Sequence, residues 1–196
     1  MTSRWRQIAV AGHTGNVAEA RGALEDADPV VRELALGATL RLGLLTDDDL
    51  RAALADVSPS VRRRAAMIAG QRPGLSLRAA LDDSDPAVVE TAAWACGEQE
   101  VVGDDVLETL IDLGIASDDA LVREACTAAL GAIGDVRGLP TILHGCIDKP
   151  AVRRRAVLAL APFDGEAVDA ALQAALVDRD WQVRQAAEDV VRASNS

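Results

Sequence analysis

The sequence predicts an all-α solenoid, built from about six helix pairs that follow an N-terminal half repeat. Three observations carry that reading. A five-residue motif returns six times at nearly constant spacing, which is the signature of a repeat architecture. Amphipathic stretches at helical period accompany each copy. Hydrophobic residues make up 49% of the 196 positions while aromatics make up only 2%, so small aliphatic side chains must fill the interior, and alanine and leucine at that level favour helix.

The motif reads Asp28-Pro-Val-Val-Arg32, Ser58-Pro-Ser-Val-Arg62, Asp85-Pro-Ala-Val-Val89, Asp119-Ala-Leu-Val-Arg123, Lys149-Pro-Ala-Val-Arg153 and Asp180-Trp-Gln-Val-Arg184. Its shared valines, Val31, Val61, Val88, Val122, Val152 and Val183, stand 30, 27, 34, 30 and 31 residues apart. Each copy opens a helix, here called B. Asp or Ser can cap the first amides, and Pro suits the first turn, where its missing N–H costs nothing. Counting the valine as zero, offsets 0, +4, +7 and +8 share one face. They hold Val31, Ala35, Ala38 and Thr39 in the first pair and Val122, Cys126, Ala129 and Leu130 in the fourth, which makes this stripe the core side.

A second amphipathic stretch, the A helix, precedes each B helix: Val17/Ala20/Leu24, Leu50/Ala53/Leu54, Leu77/Ala80/Leu81, Leu107/Leu110/Ile111, Leu139/Leu143/Ile147 and Val168/Leu172/Ala175/Leu176. The pairs so defined span about 14–43, 46–70, 74–97, 103–134, 138–162 and 166–193, after a half repeat at 1–13, and 1–196 reads as one repeat domain. Arg4, Gly12 and Gly15 fall on the B-helix offsets counted from Ser3, so the half repeat is B-like. Glycine turns such as Gly131-Ala-Ile-Gly134-Asp135 end B helices. The long spacing after Val88 places extra residues around 98–105, where that ending is lost, and a kink or change of twist is expected there.

Helix pairs at this period, with Asp-x-Asp-Pro-x-Val-Arg at the second helix and Gly-x-x-Gly-Asp at its end, resemble the HEAT-like repeats of the bilin-lyase type over nearly the whole chain. The resemblance implies a right-handed α-α superhelix. It also implies a ladder between repeats, formed by an Asp ahead of the B helix and the Arg after its valine. Asp26/Arg32, Asp56/Arg62 and Asp178/Arg184 match six residues apart, and Arg123 and Arg153 continue the Arg column. The third pair keeps Asp83 but has Val89 in that column, so a break is expected there. If the rungs are solvent-exposed, removing an Arg should cost about 1 kcal/mol or less.

Composition narrows the function classes. The formal charge of -11 and pI near 4.6 oppose a polyphosphate partner, because binding one requires a stripe of cations. No apolar stretch approaches the roughly 20 residues that span a bilayer, and the opening Met1-Thr-Ser-Arg-Trp-Arg lacks the core of a signal peptide, so a cytoplasmic location without membrane contact is expected. Cys96, Cys126 and Cys146 are odd in number and far apart, and read as buried apolar residues rather than a disulfide or zinc framework.

Catalytic chemistry finds no assembled set. His13 and His144 have no second His at helical spacing, and the paired His-Glu dipeptides with which deoxyhypusine hydroxylases of similar repeat build hold iron do not occur. No nucleophile elbow, P-loop or dinucleotide fingerprint is present, and the runs Asp47-Asp-Asp49, Asp82-Asp83 and Asp104-Asp105 suit helix ends and solvent better than calcium. No catalytic residue, metal or cofactor is assigned. A related fold serves alkylpurine DNA glycosylases, which need a basic, aromatic-lined surface. Only Arg62-Arg63-Arg64 and Arg153-Arg154-Arg155 could supply it.

The informative residues lie opposite the core stripe. A 100° turn per residue sends offsets +2, +6 and +9 of the B helices outward, toward the concave face of a solenoid. Offset +2 reads Trp5, Glu33, Arg63, Glu90, Glu124, Arg154 and Gln185, and +6 includes Met67, Trp94 and Leu158. Arg63, Met67, Glu90, Trp94, Glu124 and Arg154 are therefore the candidate groove, with Trp94 as its anchor, while Trp5 and Trp181 are expected to cap the core at the ends. The reading that follows is a non-catalytic scaffold or adaptor for another protein or peptide. The alternative that the resemblance implies is a lyase or chaperone that seats a cofactor on a client, with a lone groove acid such as Glu90 or Glu124. The sequence does not fix the oligomeric state.

Overall fold

A computed structural model describes residues 3–194. Among the described residues there are thirteen α-helices and no strand: α1 (Arg4–Thr14), α2 (Val17–Gly22), α3 (Pro29–Arg41), α4 (Asp47–Leu54), α5 (Pro59–Ala69), α6 (Arg78–Leu81), α7 (Pro86–Gly97), α8 (Asp104–Ala116), α9 (Ala120–Ile133), α10 (Leu139–Gly145), α11 (Pro150–Ala159), α12 (Glu166–Leu176) and α13 (Trp181–Ser194). Odd-numbered helices are the B helices and even-numbered ones the A helices. The architecture is the all-α repeat solenoid that the sequence predicts. Two compact units divide the chain, one ending at Ala69 and the other beginning at Gly70.

The motif dictates how B helices begin. The carboxylates of Asp28, Asp85 and Asp119 accept the amides of Val30, Ala87 and Leu121, satisfying donors that the helix leaves without partners. Lys149 cannot do this, and α11 starts with no side-chain cap, on Pro150 alone. At the other end, Gly15 and Gly134 close α1 and α9 in the left-handed region, at φ 76° and 71°, where a Cβ would be strained.

Variation in the repeat spacing falls on the A helices. The spacing of 27 residues into the third pair leaves α6 only 4 residues long, whereas the spacing of 34 after Val88 accompanies an α8 of 13 residues. B helices stay between 10 and 14 residues. Residues 98–103 form the connection itself, and the added length of this repeat shows in α8, which starts at Asp104.

Packing follows the predicted stripe. All six motif valines are buried. In the first unit Ile8, Ala11, Ala20, Ala23, Val31, Ala35 and Ala38 form one cluster, and in the second Leu81, Leu107, Leu110, Leu130, Ile142 and Leu160 are fully enclosed. Offset +5 is buried as well in five of the six pairs, at Leu36, Ala66, Ala93, Thr127 and Val157, so the core face there is wider than four offsets, while Glu188 holds this offset in α13 and is exposed. Offset +9 faces solvent only in part: Ala161 and Arg192 are exposed, as the helical wheel suggests, but the glycines at this offset pack against the next B helix. A Cβ on Gly131 would lie 2.5 Å from the Ala159 Cβ, and one on Gly97 3.0 Å from the Ala129 Cα. Each glycine meets the +7 alanine of the next B helix, so small residues let α7, α9 and α11 approach closely. Gly12 of α1 meets Ala38 of α3 in the same way within the first unit, at 2.9 Å from its Cα.

Cys96 and Cys126 are fully buried, which pushes both thiols up to about 12, and Cys146 is half-buried, its thiol raised to about 11 by desolvation. Among the described residues no helix is long and apolar enough to cross a membrane.

Candidate interaction surface

Two longitudinal features run along the B helices: a ladder at their first turns and a mixed polar and apolar row on their outward side. In the ladder, Arg32 donates from Nε and Nη2 to both oxygens of Asp56, at 2.7 and 2.6 Å, and from Nη1 to the Asp26 carbonyl at 2.8 Å. Arg123 repeats this toward Asp148 at 2.6 and 2.8 Å and the Ser117 carbonyl at 2.7 Å. Arg153 bonds both oxygens of Asp178 and the carbonyl of Asp148. The carboxylate partner lies one repeat on, while the residue five or six before the Arg supplies only its carbonyl. Arg62 and Arg184 make the carbonyl bond too, to Asp56 and Asp178. Arg4 of α1 bonds Asp26 at 2.7 Å, which gives the half repeat a rung of its own.

The Arg32, Arg123 and Arg153 rungs are shielded from solvent, unlike that of Arg4. Side chains of Arg123 and Asp148 are each 12% accessible, and those of Arg153 and Asp178 7% and 16%. The bidentate guanidinium holds Asp56, Asp148 and Asp178 below the usual carboxylate range, against desolvation that acts the other way. The small energetic effect expected for exposed pairs does not apply to such geometry. Asp148 was not among the sequence-derived rungs, because it sits five rather than six residues before its Arg. The need of Arg153 for a carbonyl acceptor at its own turn was the available signal.

The expected break is real, and it has two halves. Val89 stands in the Arg column and is buried, and Ser117 stands one repeat on, where the other rungs have Asp. Charge is removed from both sides, so no part-buried carboxylate is left without a cation.

On the outward row, Glu90 and Trp94 lie one turn apart on α7, Glu124 and Ala128 on α9, and Arg154 and Leu158 on α11. Consecutive packing of α7, α9 and α11 brings these three helices side by side. Trp94 is 44% exposed and Leu158 37%. Glu124 reaches toward Arg155 at 3.6 Å and Arg154 at 3.9 Å, so two of the candidate residues neutralise one another. Arg63 and Met67 hold the same offsets on α5 and belong to the first unit, where Arg63 is exposed, Met67 is 41% exposed, and the Met67 sulfur accepts from Arg64 Nη1 at 3.5 Å. Trp5 and Trp181 are 52% and 64% exposed, so neither covers the core as expected: Trp5 sits on the outward row and Trp181 at the first turn of α13.

His13 and His144 are exposed, and no group of three or more His, Cys, Asp or Glu that could hold a metal occurs among the described residues.

The sequence matches the family model for HEAT repeats in three overlapping segments, 47–131, 74–151 and 107–192. The chain belongs to the HEAT repeat family. Among curated proteins none matches. Similar solved structures include the Escherichia coli protein YibA, with TM-score 0.64 and 20% identity over 81% of this chain and 62% of that one. An engineered protein aligns with TM-score 0.58 and 19% identity over 98% of each chain. Human deoxyhypusine hydroxylase aligns with TM-score 0.50 and 20% identity over 96% of this chain and 78% of that one. The HEAT chain therefore spans about 62% of the length of YibA. At these identities the likeness is one of fold, and the HEAT assignment accounts for the A/B pairs without naming a ligand.

Proposed function

We propose that this HEAT-repeat chain is a non-catalytic scaffold or adaptor that holds another protein or peptide on the outward side of its B helices, with Trp94 as the anchor. The observation that supports this reading is the exposure of Trp94 from the middle of a well-packed helix. Other highly exposed apolar residues, such as Val57, Val101 and Val177, stand singly in connections. Trp94 instead shares its row with Ala128 and Leu158 and has Glu90 one turn away, an apolar centre with a charged rim. Arg63 and Met67 continue the same offsets on α5.

The formal charge of -11 favours a partner with a basic face, whose approach the acidic field accelerates. Affinity capture with the wild type, Trp94→Ala and a control, Val177→Ala, followed by mass spectrometry, tests the proposal. A protein retained by wild type and control but lost with Trp94→Ala supports it. Retention by all three removes Trp94 from the surface.

A further inference from the structure

We propose that the junction of α7 and α9 carries an open socket for an arginine side chain of a partner polypeptide, in the place that a ladder arginine fills elsewhere. The argument comes from comparing equivalent recesses inside the chain. In the first unit a recess of about 130 Å³ is lined by Leu24, Glu25, Arg32, Ala52, Asp56 and Val61. In the second unit a recess of about 390 Å³ is lined by Leu81, Asp82, Val89, Leu113, Ser117 and Val122. Counted from the motif valines, these six residues stand at the same six offsets, position for position. In the larger recess Val89 stands for Arg32, Ser117 for Asp56 and Leu113 for Ala52, so the long guanidinium side chain is missing from it.

What fits there is shown by Arg32. It lines its recess together with Leu24 and Val61, the counterparts of Leu81 and Val122, and its guanidinium is received by a carboxylate from the next repeat and by the carbonyls of Asp26 and Ala27. The corresponding carbonyls in the third pair are those of Asp83 and Ser84, in a turn of the same kind: Asp85 N donates to Asp83 Oδ1 at 2.9 Å, as Asp28 N does to Asp26 at 3.0 Å. Ser117 has replaced the receiving carboxylate, but Asp118 and Asp119 line the same recess, Asp119 with one oxygen accepting from Leu121 N, and so does Asp82, which pairs with Arg78. Acidic residues at a helix start would on their own mean only solvation. The apolar walls and the occupied counterpart specify a cation on an alkyl stem. A guanidinium matches that pattern of fixed acceptors better than an ammonium, which is a point charge without the planar fork. This site lies at the first turns of the B helices and does not depend on the Trp94 face.

The probe is an acetylated, amidated Gly-Gly-Arg-Gly-Gly peptide titrated into the full chain at moderate salt, with amide resonances read by NMR. Lysine and citrulline peptides serve as comparators. Amides of Val89, Leu113, Ser117 and Val122 are expected to shift with the arginine peptide, and affinity should fall about tenfold with citrulline, which keeps the shape and loses the charge. The pair Val89→Arg/Ser117→Asp rebuilds the rung from within and should abolish the shifts. Val89→Met, which fills the recess without charge, is the second variant and should weaken the peptide about tenfold or more. Trp94→Ala should leave the titration unchanged, so the two proposals fail separately. No shifts at the recess, equal binding of the citrulline peptide, or undiminished binding to a folded variant with the recess filled would each overturn the proposal.

Discussion

Neighbouring junctions of the second unit join B helices by different means. Between α9 and α11 a part-buried guanidinium spans the gap, with both oxygens of Asp148 and two backbone carbonyls as acceptors. Between α7 and α9 the same offsets hold Val89 and Ser117, and these two helices pack more extensively than any other pair among the described residues. Both junctions have the close glycine approach, Gly97 to Ala129 and Gly131 to Ala159, so at α7/α9 it stands without a rung beside it. The difference teaches that the rung is one way to fix the turn of a repeat. An ion pair shielded from water gains little over apolar packing of similar volume, provided both charges leave together.

That comparison can be broken by substitution. The largest effect is expected for Arg123→Ala, which leaves Asp148 part-buried and its acceptors unfilled, at about 2 to 3 kcal/mol lost in urea unfolding. Val89→Ala should cost less, about 1.5 kcal/mol, since it removes only two buried methyl groups. A greater loss at Val89 than at Arg123 would mean that the polar rungs are ornamental. Rebuilding the missing rung with Val89→Arg/Ser117→Asp should add about 1 kcal/mol, seen as a higher melting temperature. A fall of that size would show that the α7/α9 junction has repacked around its apolar pair.

The smallest expected effect is in pH. Carboxylates of Asp56, Asp148 and Asp178 titrate below their unfolded value in the folded chain, so their contribution is full above pH about 4 and is lost as pH falls through the lower folded values. The stability gap between wild type and Asp148→Asn should therefore narrow below pH about 4 and stay constant above it. A gap that widens with acid would place the charge of Asp148 outside the rung.

Much of this was legible in the sequence because the determinants are local. Caps such as Asp28 and Asp119, the buried valines and the Arg column each depend on residues within one or two turns. The direction of offset +9 was not legible in the same way. Helical periodicity gives the angle of Gly131 about its own axis, but whether that angle meets solvent depends on where α11 lies, and Ala159 is there. Ser117 could have been read, since it stands six residues before Arg123 where Asp26 and Asp56 stand before theirs, and its pairing with Val89 across the junction needs only the repeat register. The exposure of Trp94 was not legible either, since periodicity gives its angle about α7 but not how closely α9 approaches that side.

The central claim is that Trp94 serves recognition rather than folding. Unfolding of Trp94→Ala, measured beside its affinity for the captured partner, tests this most directly. With the side chain 44% exposed, the account predicts a stability loss of no more than about 1 kcal/mol and an affinity loss of about 2 kcal/mol or more, on the scale of interface anchors. A stability loss of about 3 kcal/mol or more, as for a truncated core aromatic, with partner affinity unchanged in the folded fraction, would contradict it.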